Sequence, residues 1–94
     1  MDRLEEAAAI IRKSRNMIAL TGAGVSVESG IPDFRSAGGL WDKYDPAIYA
    51  SIQSFNSMPE TVWKMIFEMI ELTETAKPNS AHYALAELES MNFL

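Results

Sequence analysis

Met17-Ile18-Ala19-Leu20-Thr21-Gly22-Ala23-Gly24 is the stretch on which the fold turns. Five residues, almost wholly apolar, run straight into Gly-Ala-Gly. A run this short and this apolar, bounded by glycine, reads as a buried strand of a parallel sheet. Glycines at its end let backbone N–H groups converge on an anion with no side chain in the way. The natural ligand of such a turn is a diphosphate. The fold class expected is α/β. The alternative is that Met17 to Thr21 is loop or helix and the chain a small helical bundle.

Before this stretch, Leu4, Ala7, Ala8 and Ile11 fall at i, i+3, i+4 and i+7, one apolar stripe of a helix from about Asp2 to Ser14. Arg12, Lys13 and Arg15 follow at its end, where cations suit the helix dipole. After it, Gly22 to Pro46 is rich in Gly, Pro, Ser and Asp. One helical turn fits Val25 to Ser29, closed by Gly30 and Pro32. The remainder reads as a long loop carrying Phe34, Trp41 and Tyr44, and loops of such length are usually functional or mobile.

Two helices should follow. Pro59 suits a first helical turn, and Val62, Trp63, Ile66, Phe67, Met69 and Ile70 form a broad apolar face ending near Glu74. Lys77-Pro78-Asn79 breaks the chain, with Asn79 or Ser80 as the next N-cap. Ala81, Ala84, Leu85, Leu88 and Met91 make the second stripe. Phe93-Leu94 reads as the first step of another strand. A single buried strand has backbone groups that need neighbours, so the chain is expected to be incomplete or to need a partner.

Composition narrows the function classes. The 94 residues are 48% hydrophobic and 22% charged, a globular balance. A net charge of −5 favours neither a nucleic-acid nor a membrane surface. With no cysteine, disulfides, thiolate catalysis and Cys-based zinc sites are excluded within these residues. No stretch approaches the roughly 18 apolar residues of a membrane span, and the acidic N-terminus is no secretory signal. A soluble cytoplasmic protein is expected.

The chemistry lies in Thr21 to Ser36. The generic dinucleotide fingerprint would place glycine at position 27, where this chain has Val27, and a second strand soon after, where it has a Gly/Pro-rich loop. This is therefore not an ordinary first dinucleotide-binding unit, and a strand-to-helix glycine turn is often only structural. Arg35 strengthens the ligand reading. Glu28 and Asp33 would repel a diphosphate, and a guanidinium offsets that and grips phosphate with two N–H groups. The plainer reading is a solvated Arg35 paired with Asp33 or Asp42. Spacing does not choose between them.

Gly22-Ala23-Gly24-Val25-Ser26 followed by Ser29-Gly30-Ile31-Pro32-Asp33-Phe34-Arg35 is similar to the sirtuin signature. Gly39-Leu40-Trp41 and Tyr44 match the loop that follows it. Lys77-Pro78-Asn79-Ser80-Ala81-His82 matches the family's Pro-Asn-x-Ala-His segment. The resemblance covers essentially the whole chain, and it implies the N-terminal part of a Rossmann-like parallel-sheet domain over residues 1–94. That part would hold one full strand, several helices and a long cofactor-binding loop. The zinc module and the second half of the domain would lie outside it.

Sirtuins move the acyl group of an acyl-lysine to the ribose of NAD, releasing nicotinamide, free lysine and O-acyl-ADP-ribose. The resemblance implies NAD as the cofactor and an acyl-lysine protein or peptide as the partner. Gly22, Ala23, Gly24 and Ser26 would surround the diphosphate and adjacent ribose, with Val27 close by. Arg35 would help hold the phosphates. Phe34 would cover the reacting ribose and exclude water. Ile31 and Asp33 would flank the nicotinamide pocket. Trp41 and Tyr44 would sit in the mobile loop that closes on NAD, or else pack beneath it.

No catalytic residue is expected in this chain. His82, its lone histidine, reads as a structural helix-start residue, because the family's general base comes later, in a His-Gly motif. Met65, Met69 and Met91 read as core filler. The family's Gln-Asn-x-Asp segment, its catalytic histidine and its four zinc cysteines would follow Leu94, so the 94 residues alone would be inactive. Relatives that remove succinyl carry a Tyr-x-x-Arg pair where this chain has Ile66 and Met69, which implies a neutral acyl group. Two other readings stand beside the deacylase: a sirtuin-like NAD hydrolase, and a non-catalytic NAD-binding fragment.

Overall fold

Asp2 opens the first helix. Its Oδ1 accepts from the Glu5 N–H at 2.8 Å, and the Glu5 Oε2 accepts from the Asp2 N–H at 3.2 Å. This reciprocal cap satisfies two donors that the first turn leaves over. The computed structural model describes residues 2–94. Helix α1 runs Arg3–Lys13, with Glu5 and Glu6 in its first turn and Arg12 and Lys13 in its last, both favourable to the helix dipole. Five helices follow: α2 (Leu40–Lys43), α3 (Pro46–Tyr49), α4 (Ile52–Ser57), α5 (Pro59–Thr75) and α6 (Ser80–Ser90). A 3₁₀ helix occupies Ala23–Ser29.

The chain divides into two compact units, one made of the residues up to Thr21 with Ser80–Leu94, the other of Gly22–Asn79. The first holds α1, α6 and the segment between α1 and Gly22. None of its described residues is buried.

Met17 to Thr21 is not a strand, and the α/β, Rossmann-like expectation fails with it. Among the described residues there is no strand and no sheet. Ile18 is 90% exposed and Leu20 98%. A strand is held by ladder bonds to a neighbour, and no other described segment pairs with this one. Apolar composition supplies the side chains for burial but not the partner. The loop alternative describes the segment, and the described chain is helical.

Phe93-Leu94 corrects a second expectation. Asn92 takes a left-handed φ of 65°, and the Phe93 N–H returns to the Leu88 carbonyl at 3.0 Å while the Asn92 N–H bonds Glu89 at 3.0 Å. This pattern closes the end of α6. Asparagine tolerates that conformation better than most residues, so the chain turns back on the helix instead of leaving it as a strand.

The second unit owes its order to α3, α4 and α5, which pack on one another. Leu40, Tyr44 and Met65 are its buried cluster, with Phe34, Trp41, Tyr49 and Met69 packed against it. Val62 is buried as well. Each such side chain contributes about 1.5–3 kcal/mol. The broad apolar face of α5 therefore divides: Val62 and Met65 face inward, while Trp63 and Phe67 are 42% and 60% exposed. The expected loop after Gly30 carries more helix than its composition suggested. Asp45 and Ser51 cap α3 and α4 through their side chains, and Pro46 starts α3 at N1, where its missing N–H costs nothing. No helix among the described residues is long and apolar enough to cross a membrane.

Candidate functional site

Gly22 leads into the 3₁₀ helix in extended conformation, φ −133° and ψ −167°. It has no side chain to cap the first turn. A methyl group built on Gly22 or Gly24 meets no protein atom within 4 Å. Packing within the chain therefore asks for neither glycine. What they leave is bare backbone, open to close approach.

At the far end Gly30 takes φ +92° and its N–H bonds both Ser26 and Val27 carbonyls. The Ile31 N–H reaches Ser26 at 3.3 Å. A side chain at this φ would be strained, so here the glycine is structural. The turn sends the chain back beside its start. Gly22, Ala23, Asp33, Phe34 and Arg35 line one open concavity of about 420 Å³.

Asp33 organises the return. Its Oδ2 accepts from the Ser36 hydroxyl at 2.5 Å and its Oδ1 from the Ser36 N–H at 3.2 Å. Its carbonyl accepts from the Leu40 N–H at 2.8 Å, and the Phe34 carbonyl from the Trp41 N–H at 2.9 Å. Phe34 stacks on Trp41 with ring centroids 4.9 Å apart. Thus the first residue of α2 and its neighbour grip the two residues next to Arg35. The Asp42 carboxylate is engaged too, accepting from the Gly38 N–H at 2.6 Å. Arg35 pairs with neither Asp33 nor Asp42. Among the described residues the ion pair is Lys43 with Glu68, and Arg35 is exposed beside the concavity.

Five of the residues singled out from the sequence thus share one lining. Ser26 and Val27 lie within the 3₁₀ helix, and Ile31 just beyond Gly30. Trp41 stands apart. It is in α2 and half-buried against Phe34. Tyr44 is buried, its ring 4.6 Å from Tyr49, so it packs in the core instead of riding a loop. Ile66 and Met69 line an open apolar groove of about 400 Å³ with Ile70, Thr73 and Glu74. Met65 and Met69 fill the core as expected, but Met91 is 54% exposed. His82 is half-buried near the start of α6.

Two residues gain roles that their spacing did not announce. Gly39 is buried, and a methyl group there would sit 2.8 Å from the Asp33 carbonyl, the Asp33 Oδ1 and the Ser36 carbonyl. The Gly38-Gly39 pair was the available signal. Asn79 donates its side-chain amide to the Val25 carbonyl at 2.8 Å and to Ser29 Oγ at 3.0 Å. Only tertiary structure joins residues so distant in sequence. No group of three or more His, Cys, Asp or Glu among the described residues is arranged to hold a metal.

The chain as a whole is similar to known proteins. The family model described as Sir2 matches residues 22–94. NAD-dependent protein deacylase 2 of Archaeoglobus fulgidus is 48% identical over 93 residues, which are 99% of this chain and 36% of that protein. The NAD-dependent protein deacetylase of Caldivirga maquilingensis is 49% identical over 89 residues, 95% of this chain and 34% of that one. Among solved structures, a variant of a Sir2 homologue in complex with ADP-ribose superposes with a TM-score of 0.89 at 46% identity, covering 100% of this chain and 37% of its own. A Sir2 complex with deacetylated p53 peptide and 3′-O-acetyl-ADP-ribose gives 0.90 at 39% identity, covering 99% and 37%. The chain spans about a third of the length of these relatives. The family model matched over residues 22–94, together with relatives close to half identical over nearly the whole chain, makes this chain a member of the Sir2 family.

Proposed function

We propose that the chain is the cofactor-binding part of an NAD-dependent protein-lysine deacylase. The observation that carries the reading is the concavity of Gly22, Ala23, Asp33, Phe34 and Arg35. It joins backbone stripped of side chains to a guanidinium that, among the described residues, has no carboxylate partner, the donor set a diphosphate requires. The relatives named as NAD-dependent deacylases, and the homologue bound to ADP-ribose, support the same ligand.

When bound, NAD supplies the ribose that accepts the acyl group, with nicotinamide as the leaving group. The chain's own residues bind and shield. Gly22, Ala23, Gly24 and Ser26 surround the diphosphate and the adjacent ribose, with Val27 beside them. The first turn of a helix has N–H groups with no acceptor inside the helix, and Gly22 leaves them uncovered. Arg35 takes a phosphate. Phe34, braced by Trp41, covers the reacting ribose and excludes water. Ile31 and Asp33 flank the nicotinamide, and Ser36 holds the Asp33 carboxylate in place through its hydroxyl and N–H. The general base and the zinc ligands belong to the remaining part of such an enzyme.

The acyl group is neutral. Ile66 and Met69 line an apolar groove that offers a carboxylate nothing to pair with. A full-length enzyme containing this chain should remove acetyl faster than succinyl, and the reverse ratio would sink the assignment.

The cofactor reading is tested by titrating the ¹⁵N-labelled chain with ADP-ribose. Amide shifts confined to Gly22–Ser26 and Asp33–Arg35 are the expected result. A titration that moves no amide in those two segments would overturn it.

A further inference from the structure

The 3₁₀ helix Ala23–Ser29 is seven residues long. Helices of this type seldom exceed three or four residues, because their i→i+3 bonds are poorly aligned. This one also lacks a side-chain cap at its start, and its Gly22 and Gly24 make no packing contacts through a side chain. Something outside the helix must hold it. The Asn79 side chain does so at two points, donating one amide proton to the Val25 carbonyl at 2.8 Å and the other to Ser29 Oγ at 3.0 Å. Both donors of one nitrogen are used, on acceptors just over one turn apart, and the side chain is half-buried.

We propose that Asn79 is a positioning residue for the diphosphate concavity. Its amide pins the 3₁₀ helix at Val25 and Ser29. The two walls of the concavity, Gly22–Ala23 at the start of the helix and Asp33–Arg35 beyond its end, are joined along the chain through this helix and the Gly30 turn. Pinning the helix therefore keeps the walls at the separation a diphosphate spans. Asn79 acts through the helix and not on the ligand. The inference rests on the reading of the concavity as a diphosphate site.

Asn79 directly precedes α6, where an asparagine oxygen can also cap the helix. The two roles separate chemically. Aspartate caps a helix as well as asparagine does, yet it has no N–H to donate and sets a carboxylate against the Val25 carbonyl. Asn79→Asp thus keeps the shape and the capping oxygen and removes the anchor. Ser29→Ala is the milder variant, deleting one acceptor of the two.

The experiment uses the full ¹⁵N-labelled chain, with amide exchange measured without ligand and affinity measured with ADP-ribose. The Gly30 and Ile31 amides, which close the 3₁₀ helix onto Val27 and Ser26, report on the anchor. In Asn79→Asp they should exchange about tenfold faster, with the α5 amides unchanged, and ADP-ribose should bind about tenfold more weakly. Ser29→Ala should lose about threefold. Wild-type exchange and affinity in Asn79→Asp would overturn the proposal. So would equal acceleration in α5, which would make Asn79 a general stability residue. A wild-type chain that does not bind ADP-ribose overturns the cofactor reading itself, and the positioning role with it. A wild-type chain that binds while Asn79→Asp binds equally well removes Asn79 alone.

Discussion

A methyl group on Gly22 or Gly24 would meet no protein atom within 4 Å, whereas one on Gly39 would lie 2.8 Å from three oxygens of Asp33 and Ser36. The first region supplies Gly22 and Ala23 to the concavity, while the second holds Asp33 and Phe34, two of its other lining residues. In the Gly38–Tyr44 region the glycine is needed by the fold, because the start of α2 closes onto Asp33 and Phe34. At Gly22–Gly24 the packing of the described residues asks for no glycine, and the backbone is left bare. A glycine crowded by its own chain and a glycine facing open space look alike in sequence and do opposite things.

Four substitutions break or sharpen that contrast. The largest effect belongs to the core that backs the second region. Met65→Ala should cost about 3 kcal/mol, read as a lowered urea midpoint, because Met65 is 6% exposed against Leu40 and Tyr44. Gly39→Ala comes next, at about 2 kcal/mol of stability. An unchanged melting temperature there would show that the crowding around Asp33 relaxes freely. Arg35→Ala should leave stability within about 0.5 kcal/mol, as expected of an exposed side chain, and weaken ADP-ribose binding about tenfold; calorimetric titration measures the binding half. Gly24→Ala is the smallest. Its stability should stay within about 0.5 kcal/mol of wild type and its ADP-ribose affinity fall about threefold. Were Gly24→Ala to destabilise the chain as much as Gly39→Ala, the distinction between the two regions would collapse.

The helices were legible wherever a local rule governs them. The start of α1 near Asp2, Pro59 at the head of α5, and the i, i+3, i+4 stripes of α1 and α6 are all properties of neighbours in sequence. The 3₁₀ helix was half legible: Gly30 and Pro32 set its end, while its start at Ala23 precedes the expected Val25. Helices α2, α3 and α4 were missed because each is barely a turn or two, too short for a period to register. Met17–Thr21 misled for a different reason. Its side chains satisfy the composition of a strand, but pairing is a relation between two segments, and composition describes only one.

At the site, the amino-acid sequence by itself determined which chemistry was available: glycine backbone at Gly22 and Gly24, a guanidinium at Arg35, an aromatic ring at Phe34, and no thiol anywhere. These are properties of residue types and need no coordinates. Tertiary structure decided the rest. It brought Asp33–Arg35 beside Gly22–Ala23, engaged the Asp33 carboxylate with Ser36, left Arg35 paired with neither Asp33 nor Asp42, placed Trp41 against Phe34, and sent the amide of Asn79 to Val25 and Ser29. Each of those outcomes depends on which groups compete for the same hydrogen bond or the same space. That competition is settled only when distant parts of the chain meet.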